Sequence, residues 1–554
     1  MKDFKKSVVY QIYPKSFKDS NGDGFGDLNG IMEKLDYLKN LGVDYLWITP
    51  FYVSPLKDNG YDVADYISID PRFGTMADFE RLVSEAKARN MEIMMDMVFN
   101  HTSTEHEWFQ KAIKGDQAYK DYYIFKEPQE DKGLPTNWIS KFGGSAWEYS
   151  EKYGEYYLHL FDVTQADLNW ENPKVRREIF DIVEFWLEKG VKGFRLDVIN
   201  LISKPEVFEN DMEGDGRRFY TDGPKIHDYL KELNKETFGK YENIITVGEM
   251  SSTSIDHCVR YSHPNEKELS MVFSFHHLKV DYENGEKWTT VEFDFKKLKE
   301  ILSSWQYGMQ EGHGWNALFW CNHDQPRIVS RFGNDQKYHK ESAKMLATAI
   351  HMLRGTPYIY QGEELGMTNP YFSSIDQYKD VESINYYNIL KSEGKEDKEI
   401  ISILQSKSRD NSRTPMQWDS TQHSGFTSGT PWIQSAKNYL NINAEKALEE
   451  QDSVFYHYQN LIALRKEYDV IAYGVYQEIL PENERIFAYT RSYKDEILLV
   501  INNFYGQECI VELPEQKLVG YESELLLSNY KDSGDSFTNK MVLRPYESVI
   551  YLLK

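Results

Sequence analysis

The sequence predicts an α/β fold: a (β/α)8 barrel with an inserted subdomain after the third strand and a C-terminal antiparallel β domain. Three observations lead to this prediction. Short β-rich apolar runs alternate with amphipathic helical stretches, which is typical of βαβ units and a parallel sheet. A long segment interrupts that alternation once, and the tail changes to strand patterns alone. With 554 residues the chain is too long for one simple core, so two or three domains are expected.

Eight apolar runs are the candidate barrel strands, and helical stretches lie between them. Met76–Asn90 and Val175–Lys189 place apolar residues at intervals of three and four, as an amphipathic helix requires. Eight such repeats favour a closed barrel over an open sheet. The candidate strands are Val8–Tyr13, Tyr45–Thr49, Glu92–Val98, Gly193–Val198, Ile244–Gly248, Met271–Ser274, Ala317–Cys321 and Tyr358–Tyr360.

Two segments fall outside the barrel pattern. Residues 101–169 are rich in Trp, Tyr, Gly and Pro and are too long for an ordinary loop, so we expect a subdomain over the C-terminal face of the barrel. After the helix-like stretch Ser453–Glu467 the tail alternates as an antiparallel sheet does. We therefore assign residues 1–100 and 170–474 to the barrel, 101–169 to the subdomain and 475–554 to the β domain. The tail strands are Ile486–Tyr493, Ile497–Phe504 and Val549–Leu553.

Composition excludes several classes of partner. The formal net charge of −24 repels phosphodiester backbones, which argues against nucleic-acid binding. No apolar run approaches the roughly 20 residues of a membrane span, and the N-terminal stretch lacks the apolar region of a secretory signal. The three cysteines, Cys258, Cys321 and Cys509, fit neither a disulfide framework nor a zinc ribbon, so we expect a reducing cytoplasm. We expect a monomer or a weak homo-oligomer.

Charged and polar residues follow four of the predicted strands. The third strand runs into His101, the fourth into Arg195 and Asp197, the fifth into Glu249, and the seventh into a segment that ends in Asp324. Barrel enzymes keep their catalytic groups at these C-terminal strand ends. Once the barrel closes, the side chains should therefore point into one pocket.

These residue types suit the hydrolysis of a glycosidic bond. One carboxylate must attack the anomeric carbon and one carboxylic acid must protonate the departing oxygen, while a third negative charge binds the distorted ring. Arg195 and Asp197 share a face of their strand, so we expect the guanidinium to keep Asp197 ionised at neutral pH. Glu249 must start protonated, and partial burial with nearby negative charge should raise its pKa. The residues alone leave retention and inversion open, because the outcome depends on the carboxylate separation.

Four segments together resemble the α-amylase superfamily, glycoside hydrolase family 13. They are Asp96–His101 (DMVFNH), Gly193–Ile199 (GFRLDVI), Val247–Met250 (VGEM) and Asn322–Arg327 (NHDQPR). The resemblance implies double displacement through a glucosyl enzyme at Asp197, with Glu249 as acid and then base and Asp324 on the sugar hydroxyls. It also implies a glucose subsite lined by Tyr61, Asp62, His101, Arg195, His323 and Arg409.

Within the superfamily the chain is most similar to two exo-acting groups. Oligo-1,6-glucosidases usually have Gln-Pro-Asp-Leu-Asn at the end of the insert, whereas Gln165–Asn169 has Ala in place of Pro. Phe273–Trp288, Gly248–Cys258 and Gly143–Trp147 resemble trehalose-6-phosphate hydrolases. The favoured reaction is therefore cleavage of trehalose 6-phosphate to glucose and glucose 6-phosphate.

Three other functions are open to this superfamily. An oligo-1,6-glucosidase acting on α-1,6-linked glucose ends is the main alternative. A trehalose synthase or a sucrose-acting transglycosidase would use the same three carboxylates. The non-catalytic relatives, which are partners of membrane transporters, have lost those carboxylates and carry a membrane anchor, so they do not fit this chain.

A phosphorylated sugar requires cations in a pocket that already holds carboxylates. The candidates follow the sixth strand and comprise His276, His277, Lys279 and Lys287, with the two lysines foremost. The alternative is that these lysines are ordinary solvated surface residues. Arg217 and Arg218, in a Gly-rich loop after the fourth strand, form a weaker second cluster.

The segment from Asp19 to Asp27 predicts a structural Ca²⁺ site. Oxygen donors recur at every second position with glycines between them, as at the start of an EF-hand loop, although the Glu at the twelfth position is missing. In the similar oligo-1,6-glucosidases the same loop binds Ca²⁺. The alternative is a polar turn that caps the following helix. The expected ligands are the side chains of Asp19, Asn21, Asp23 and Asp27 and the carbonyl of Phe25.

Overall fold

Eight parallel strands form the barrel. The computed structural model describes residues 2–130, 133–513, 521–534, 536 and 538–554. The strands follow one another around a single sheet, and the amide of Val272 donates to the carbonyl of Trp315 at 3.2 Å, which links β6 to β7 and closes the ring. The predicted fold class is confirmed. In chain order the strands are β1 Val9–Ile12, β2 Tyr45–Ile48, β3 Glu92–Met97, β4 Gly193–Leu196, β5 Ile245–Met250, β6 Met271–Ser274, β7 Ala317–Leu318 and β8 Thr356–Tyr360.

Helices surround the barrel, and local sequence sets where they start. Thr75 and Asp78 cap the helix Met76–Ala88 by reciprocal hydrogen bonds, and Asn172 caps Pro173–Glu188, which has proline at its first position. Both helices agree with the apolar periodicity. Others include Leu28–Glu33, Leu35–Leu41, Ile226–Glu236, Ile255–Ser262, Phe295–Glu311, His339–His351, Val381–Ser392, Asp397–Lys407 and Val454–Glu467.

All the barrel strands except β6 differ from their predicted bounds by at least one residue, and the differences in β5 and β7 affect the site. β7 ends at Leu318, because the carbonyl of Phe319 accepts a hydrogen bond from His277 Nε2 at 2.9 Å instead of extending the ladder. β5 continues to Met250, so Glu249 lies within the strand and pairs in register with Phe273 of β6.

The inserted segment is fastened to the barrel at both of its ends. His101–Ser103 pairs with Gln165–Asp167 in an antiparallel ribbon directly after β3. Between them the insert has a small apolar core that includes Trp138, Trp147 and Leu160. Its other elements are the helices Glu107–Ile113 and Gln117–Lys120 and the three-stranded sheet of Phe125–Lys126, Trp147–Ser150 and Glu155–Leu158.

The C-terminal region is an antiparallel β structure that packs on the barrel. Tyr489 donates to the carbonyl of Ala349 in a barrel helix at 2.9 Å. Two strands agree closely with the sequence, Ile486–Tyr493 and Glu496–Asn503, and Ser548–Leu553 contains the third. Four further strands complete the two sheets: Val475–Ile479, Cys509–Glu512, Ser523–Ser528 and Lys540–Leu543.

In the part of the chain that the structure describes, we find no helix with the length and apolarity that crossing a bilayer demands.

Candidate active site

A cavity of about 300 Å³ lies at the C-terminal ends of the barrel strands. It brings together all three predicted carboxylates, Asp197, Glu249 and Asp324. Its volume is at the lower limit for small-molecule sites. Of the predicted substrate-binding residues, its wall contains Tyr61, His101, Lys279, Lys287 and Arg409.

The Arg195 guanidinium contacts two of the three carboxyl groups, those of Asp197 and Glu249. Its Nη1 lies 2.6 Å from Asp197 Oδ1 and 2.7 Å from Asp96 Oδ1, and its Nη2 donates to Glu249 Oε2. Because one guanidinium binds both carboxyl groups, Asp197 and Glu249 lie close together, which is the arrangement that retaining glycosidases require.

Opposing effects act on the carboxyl group of Asp197. Burial raises the pKa of Asp197 to about 7, the Arg195 guanidinium opposes that rise, and the neighbouring Asp96 adds to it. The ion pair with Arg195 forms as predicted, but it does not outweigh burial. Burial therefore opposes the ionisation of Asp197 that the Arg195 guanidinium favours, and the ionised carboxylate stays a prediction.

Asp324 has the opposite electrostatic environment. Burial alone would raise its pKa, but His323, Arg409 and Arg413 lower it well below its ordinary value. Arg413 Nη2 lies 2.6 Å from Asp324 Oδ1, and Arg409 Nη1 lies 3.4 Å from the same oxygen. Asp324 is thus the carboxylate that stays ionised.

His323 supports Asp324 as a neutral donor. Burial lowers the pKa of His323 to about 3. Its Nδ1 lies 2.8 Å from Nε2 of Gln11, a donor, so the ring proton belongs on Nε2, which lies 3.3 Å from Asp324 Oδ2. The ring stacks on Tyr61 with centroids 4.9 Å apart, which fixes its plane.

The predicted role of Asp62 is corrected by the structure. Its carboxylate is fully buried and accepts hydrogen bonds from the Ser54 hydroxyl and from the amides of Lys57 and Asp58, so it holds its own loop and does not line the cavity. Asp58, four residues earlier, faces the cavity and binds Arg409 Nη2 at 3.0 Å. Burial raises the pKa of Asp58 to about 7.

Several cationic side chains line the cavity. Lys279 has no hydrogen-bond or ion-pair partner for its ammonium among the described residues, whereas Lys287 Nζ is 2.7 Å from Glu382 Oε2. Arg217 reaches the same wall, and so does Lys141 from the inserted segment.

Three weaker candidates for a phosphate site lie elsewhere. His276 stacks on Trp305 with centroids 4.4 Å apart, and His277 bonds to the carbonyl of Phe319. Arg218 pairs with Asp211 at 3.0 Å. None of the three lines the described cavity, so they are removed from the candidate site.

The loop from Asp19 to Asp27 folds around its own carboxylates. Asp19 accepts from the amides of Asn21, Gly22 and Gly24 and from the Thr427 hydroxyl, and Asp27 caps the helix Leu28–Glu33. Within the described ranges no three His, Cys, Asp or Glu side chains are grouped as a metal site would need. Asn21, Asp23 and the carbonyl of Phe25 still supply oxygen donors beside Asp19, so Ca²⁺ remains a prediction.

Sequence reasoning missed several residues of the site. Asp58 directly precedes the segment Asn59–Asp62, and only the conformation of this loop distinguishes Asp58 from Asp62. Arg413 lies one helical turn after Arg409 in the sequence and could have been identified there as a second cation near Asp324. Lys141 and Glu382 carry no local signal, because the distant segments around them meet only in the folded chain.

The fold and the cavity define a barrel glycosidase, and the chain belongs to the α-amylase family. The family model "Alpha amylase, catalytic domain" matches residues 11–474, and "Alpha-amylase SusG C-terminal domain" matches residues 486–550.

Among individual proteins, the chain is 62% identical to the trehalose-6-phosphate hydrolase of Bacillus subtilis (strain 168), over 99% of this chain and 98% of that protein. It is 52% identical to an oligo-1,6-glucosidase of Bacillus cereus, over 100% of this chain and 99% of that one. The crystal structure of Bacillus licheniformis trehalose-6-phosphate hydrolase superposes with a TM-score of 0.96 at 60% identity and covers 99% of both chains.

Proposed function

We propose that this enzyme cleaves trehalose 6-phosphate with retention, releasing glucose and glucose 6-phosphate. Asp197 attacks the anomeric carbon while Glu249 protonates the departing oxygen, and Glu249 then takes a proton from the water that releases glucose. Asp324, held ionised by Arg409 and Arg413, binds hydroxyls of the distorted ring and stabilises its positive charge. The shared contact of Asp197 and Glu249 with Arg195 supports this pairing of roles.

The unpaired ammonium of Lys279 is the observation that carries the choice of substrate. It faces the cavity on the side of Glu249, where the leaving group must sit, and none of the described side chains neutralises it. Lys279 is half-buried, and withdrawing a cation even partly from water without a counter-charge is costly unless a ligand supplies one. The dianion of a sugar phosphate supplies that charge with charge-assisted hydrogen bonds. The similarity to two trehalose-6-phosphate hydrolases, at 62% and 52% identity, supports the same substrate.

An oligo-1,6-glucosidase is the second candidate, favoured by the 52% identity to that enzyme of Bacillus cereus. The test is kcat/KM for trehalose 6-phosphate, trehalose and isomaltose under one set of conditions. We expect trehalose 6-phosphate to be preferred, with glucose and glucose 6-phosphate formed in equal amounts and the α-anomer of glucose appearing first by NMR. Preference for isomaltose would refute the proposal, and formation of new disaccharides would indicate a transglycosidase.

Lys279→Ala tests the phosphate contact directly. A hydrogen bond to a charged group contributes about 1.5–3 kcal/mol, so KM for trehalose 6-phosphate should rise roughly 10- to 150-fold. KM for an unphosphorylated chromogenic glucoside should change little, because that substrate carries no anion. Lys287→Ala is the matched control: Lys287 lines the same cavity but already binds Glu382, so its effect should be smaller. Equal effects of Lys279→Ala on both substrates would exclude the contact.

Cellular location and assembly are part of the same proposal. The three cysteines are free thiols, which suits the reducing cytoplasm where phosphorylated sugars are handled. We propose a monomer or a weak homo-oligomer, and light scattering at increasing concentration tests this.

A further inference from the structure

Lys141 reaches the cavity from the inserted segment, although it lies far in sequence from the other cations. Its amide donates to the carbonyl of Leu160 at 2.8 Å, and the neighbouring Ser140 hydroxyl donates to the carbonyl of Phe161 at 2.6 Å. These bonds fix the turn that carries Lys141. Its Nζ lies 3.3 Å from Ser251 Oγ, two residues beyond Glu249, so the amine sits on the leaving-group side.

The charges that face Lys141 are mostly positive. Arg217 and Lys279 line the cavity together with Lys141. Lys204 is a further nearby cation, and it is neutralised by Asp167, whose Oδ2 lies 2.7 Å from Lys204 Nζ. The remaining groups around the amine are Ser251, the ring of Tyr220 at 5.6 Å, Asp215, and Glu249 on the cavity wall.

Neither nearby carboxylate is available to Lys141. Asp215 is engaged by Arg217 through two contacts of 3.1 and 2.5 Å, and Glu249 is engaged by Arg195. Burial and the neighbouring cations Arg217 and Lys279 lower the pKa of Lys141 to about 7. Lys141 is therefore a half-buried amine that has cations for neighbours and no ion-pair partner among the described residues.

We propose that Lys141 is a proton-linked anion-binding residue, which takes up a proton from solvent when the phosphate of the substrate enters the cavity. This inference rests on the proposed function. The phosphate dianion supplies the counter-charge that the amine lacks, and an opposite charge within contact distance favours the protonated form. The step balances as one N–H bond formed at Lys141 and one bond to hydrogen broken in a solvent hydronium ion or buffer acid, and no bond of the substrate changes as it binds.

The consequence is a pH dependence confined to phosphorylated ligands. Above about pH 7 each binding event must take up a proton, so KM for trehalose 6-phosphate should rise by up to about tenfold per pH unit. The phosphate itself is already a dianion there, because its second pKa is about 6. Titration of Asp197 affects every substrate alike, so it cancels in the ratio of the KM for trehalose 6-phosphate to that for an unphosphorylated glucoside.

The decisive variant is Lys141→Arg, because arginine keeps its charge at all accessible pH values. The KM ratio is measured from about pH 6.5 to 8.5, and proton uptake on binding glucose 6-phosphate is measured by calorimetry in two buffers of different ionisation heat. The unmodified enzyme should show a rising ratio and an uptake approaching one proton. In Lys141→Arg the KM ratio should not change with pH and no proton should be taken up on binding. In Lys141→Met the KM ratio should be high at every pH, because the side chain carries no charge. Lys111→Arg, on the surface of the same inserted segment, is the matched control and should behave as the unmodified enzyme.

Three results would overturn the inference. A flat KM ratio in the unmodified enzyme, with trehalose 6-phosphate still preferred over trehalose, removes the role of Lys141 and leaves the proposed function intact. Persistent proton uptake in Lys141→Arg assigns the proton to another group, such as Lys279. If trehalose 6-phosphate is not preferred over trehalose at any pH, the proposed function fails and the inference fails with it.

Discussion

Arg195→Met should destabilise the enzyme in a pH-dependent way. The guanidinium is almost fully buried and binds Asp96, Asp197 and Glu249, so its removal leaves three carboxyl groups without their common cation. Removing one partner of a buried ion pair costs about 3–5 kcal/mol. Unfolding entropy is about 2.1 cal/mol/K per residue, or about 1 kcal/mol/K for the roughly 460 residues that match the catalytic domain. The expected fall in Tm is therefore about 3–5 °C.

The pH dependence of that loss follows from Asp197. Its pKa in the folded enzyme, about 7, is above that of the unfolded chain, so the stability linked to its proton is present at low pH and is lost as pH rises through about 7. Without the Arg195 guanidinium the pKa of Asp197 rises further, so the loss of stability continues to higher pH. The loss in free energy of unfolding caused by Arg195→Met should thus be larger at about pH 8 than at about pH 6.

Thermal unfolding followed by circular dichroism at these two pH values is the assay. Arg195→Lys is the control, because it keeps the charge but not the bridging geometry, and its loss should be smaller. A change in Tm below about 1 °C for Arg195→Met at both pH values would show that the guanidinium does not stabilise this cluster.

Four further predictions concern the site and the metal loop. Asp197→Asn should lower kcat by several orders of magnitude with Tm nearly unchanged, and near-normal turnover would contradict its role as nucleophile. In the unmodified enzyme kcat/KM should fall by about tenfold per pH unit below about pH 7, because attack needs ionised Asp197; a flat profile to about pH 5 would contradict this. Asp58→Asn should raise KM, whereas Asp62→Asn should mainly lower Tm, because Asp62 holds backbone amides of its loop; the reverse pattern would restore Asp62 to the subsite. Ca²⁺ added after chelation should raise Tm, and Asp23→Ala should abolish that shift; an unchanged Tm would exclude the metal.

Residues that are close along one strand could be placed from the sequence. Arg195 and Asp197 form their ion pair as predicted, because side chains two residues apart in a strand lie on one face. The ends of β3, β4, β5 and β7 meet at one rim because parallel strands in a closed barrel all point the same way. Periodicity and strand direction are local rules, so they placed the three carboxylates in one cavity.

Loop conformation and long-range proximity could not be deduced in this way. Asp58 and Asp62 are equivalent by residue type, and the backbone of their loop decides that Asp62 turns inward while Asp58 faces the cavity. The pKa of Asp197 depended on how completely the folded chain buries it, which no pair of neighbouring residues determines.

By itself the sequence determined the barrel, its insert and the three carboxylates of the candidate site, because strand periodicity and strand-end position depend on neighbouring residues. Only the tertiary structure decided which cations face the leaving group. Lys279 has no ion-pair partner in the described part of the chain, Lys287 is neutralised by Glu382, and Lys141 reaches the cavity from the insert. The energy of a charge depends on its distance to other charges and on burial, and both are set by contacts between segments far apart in the chain.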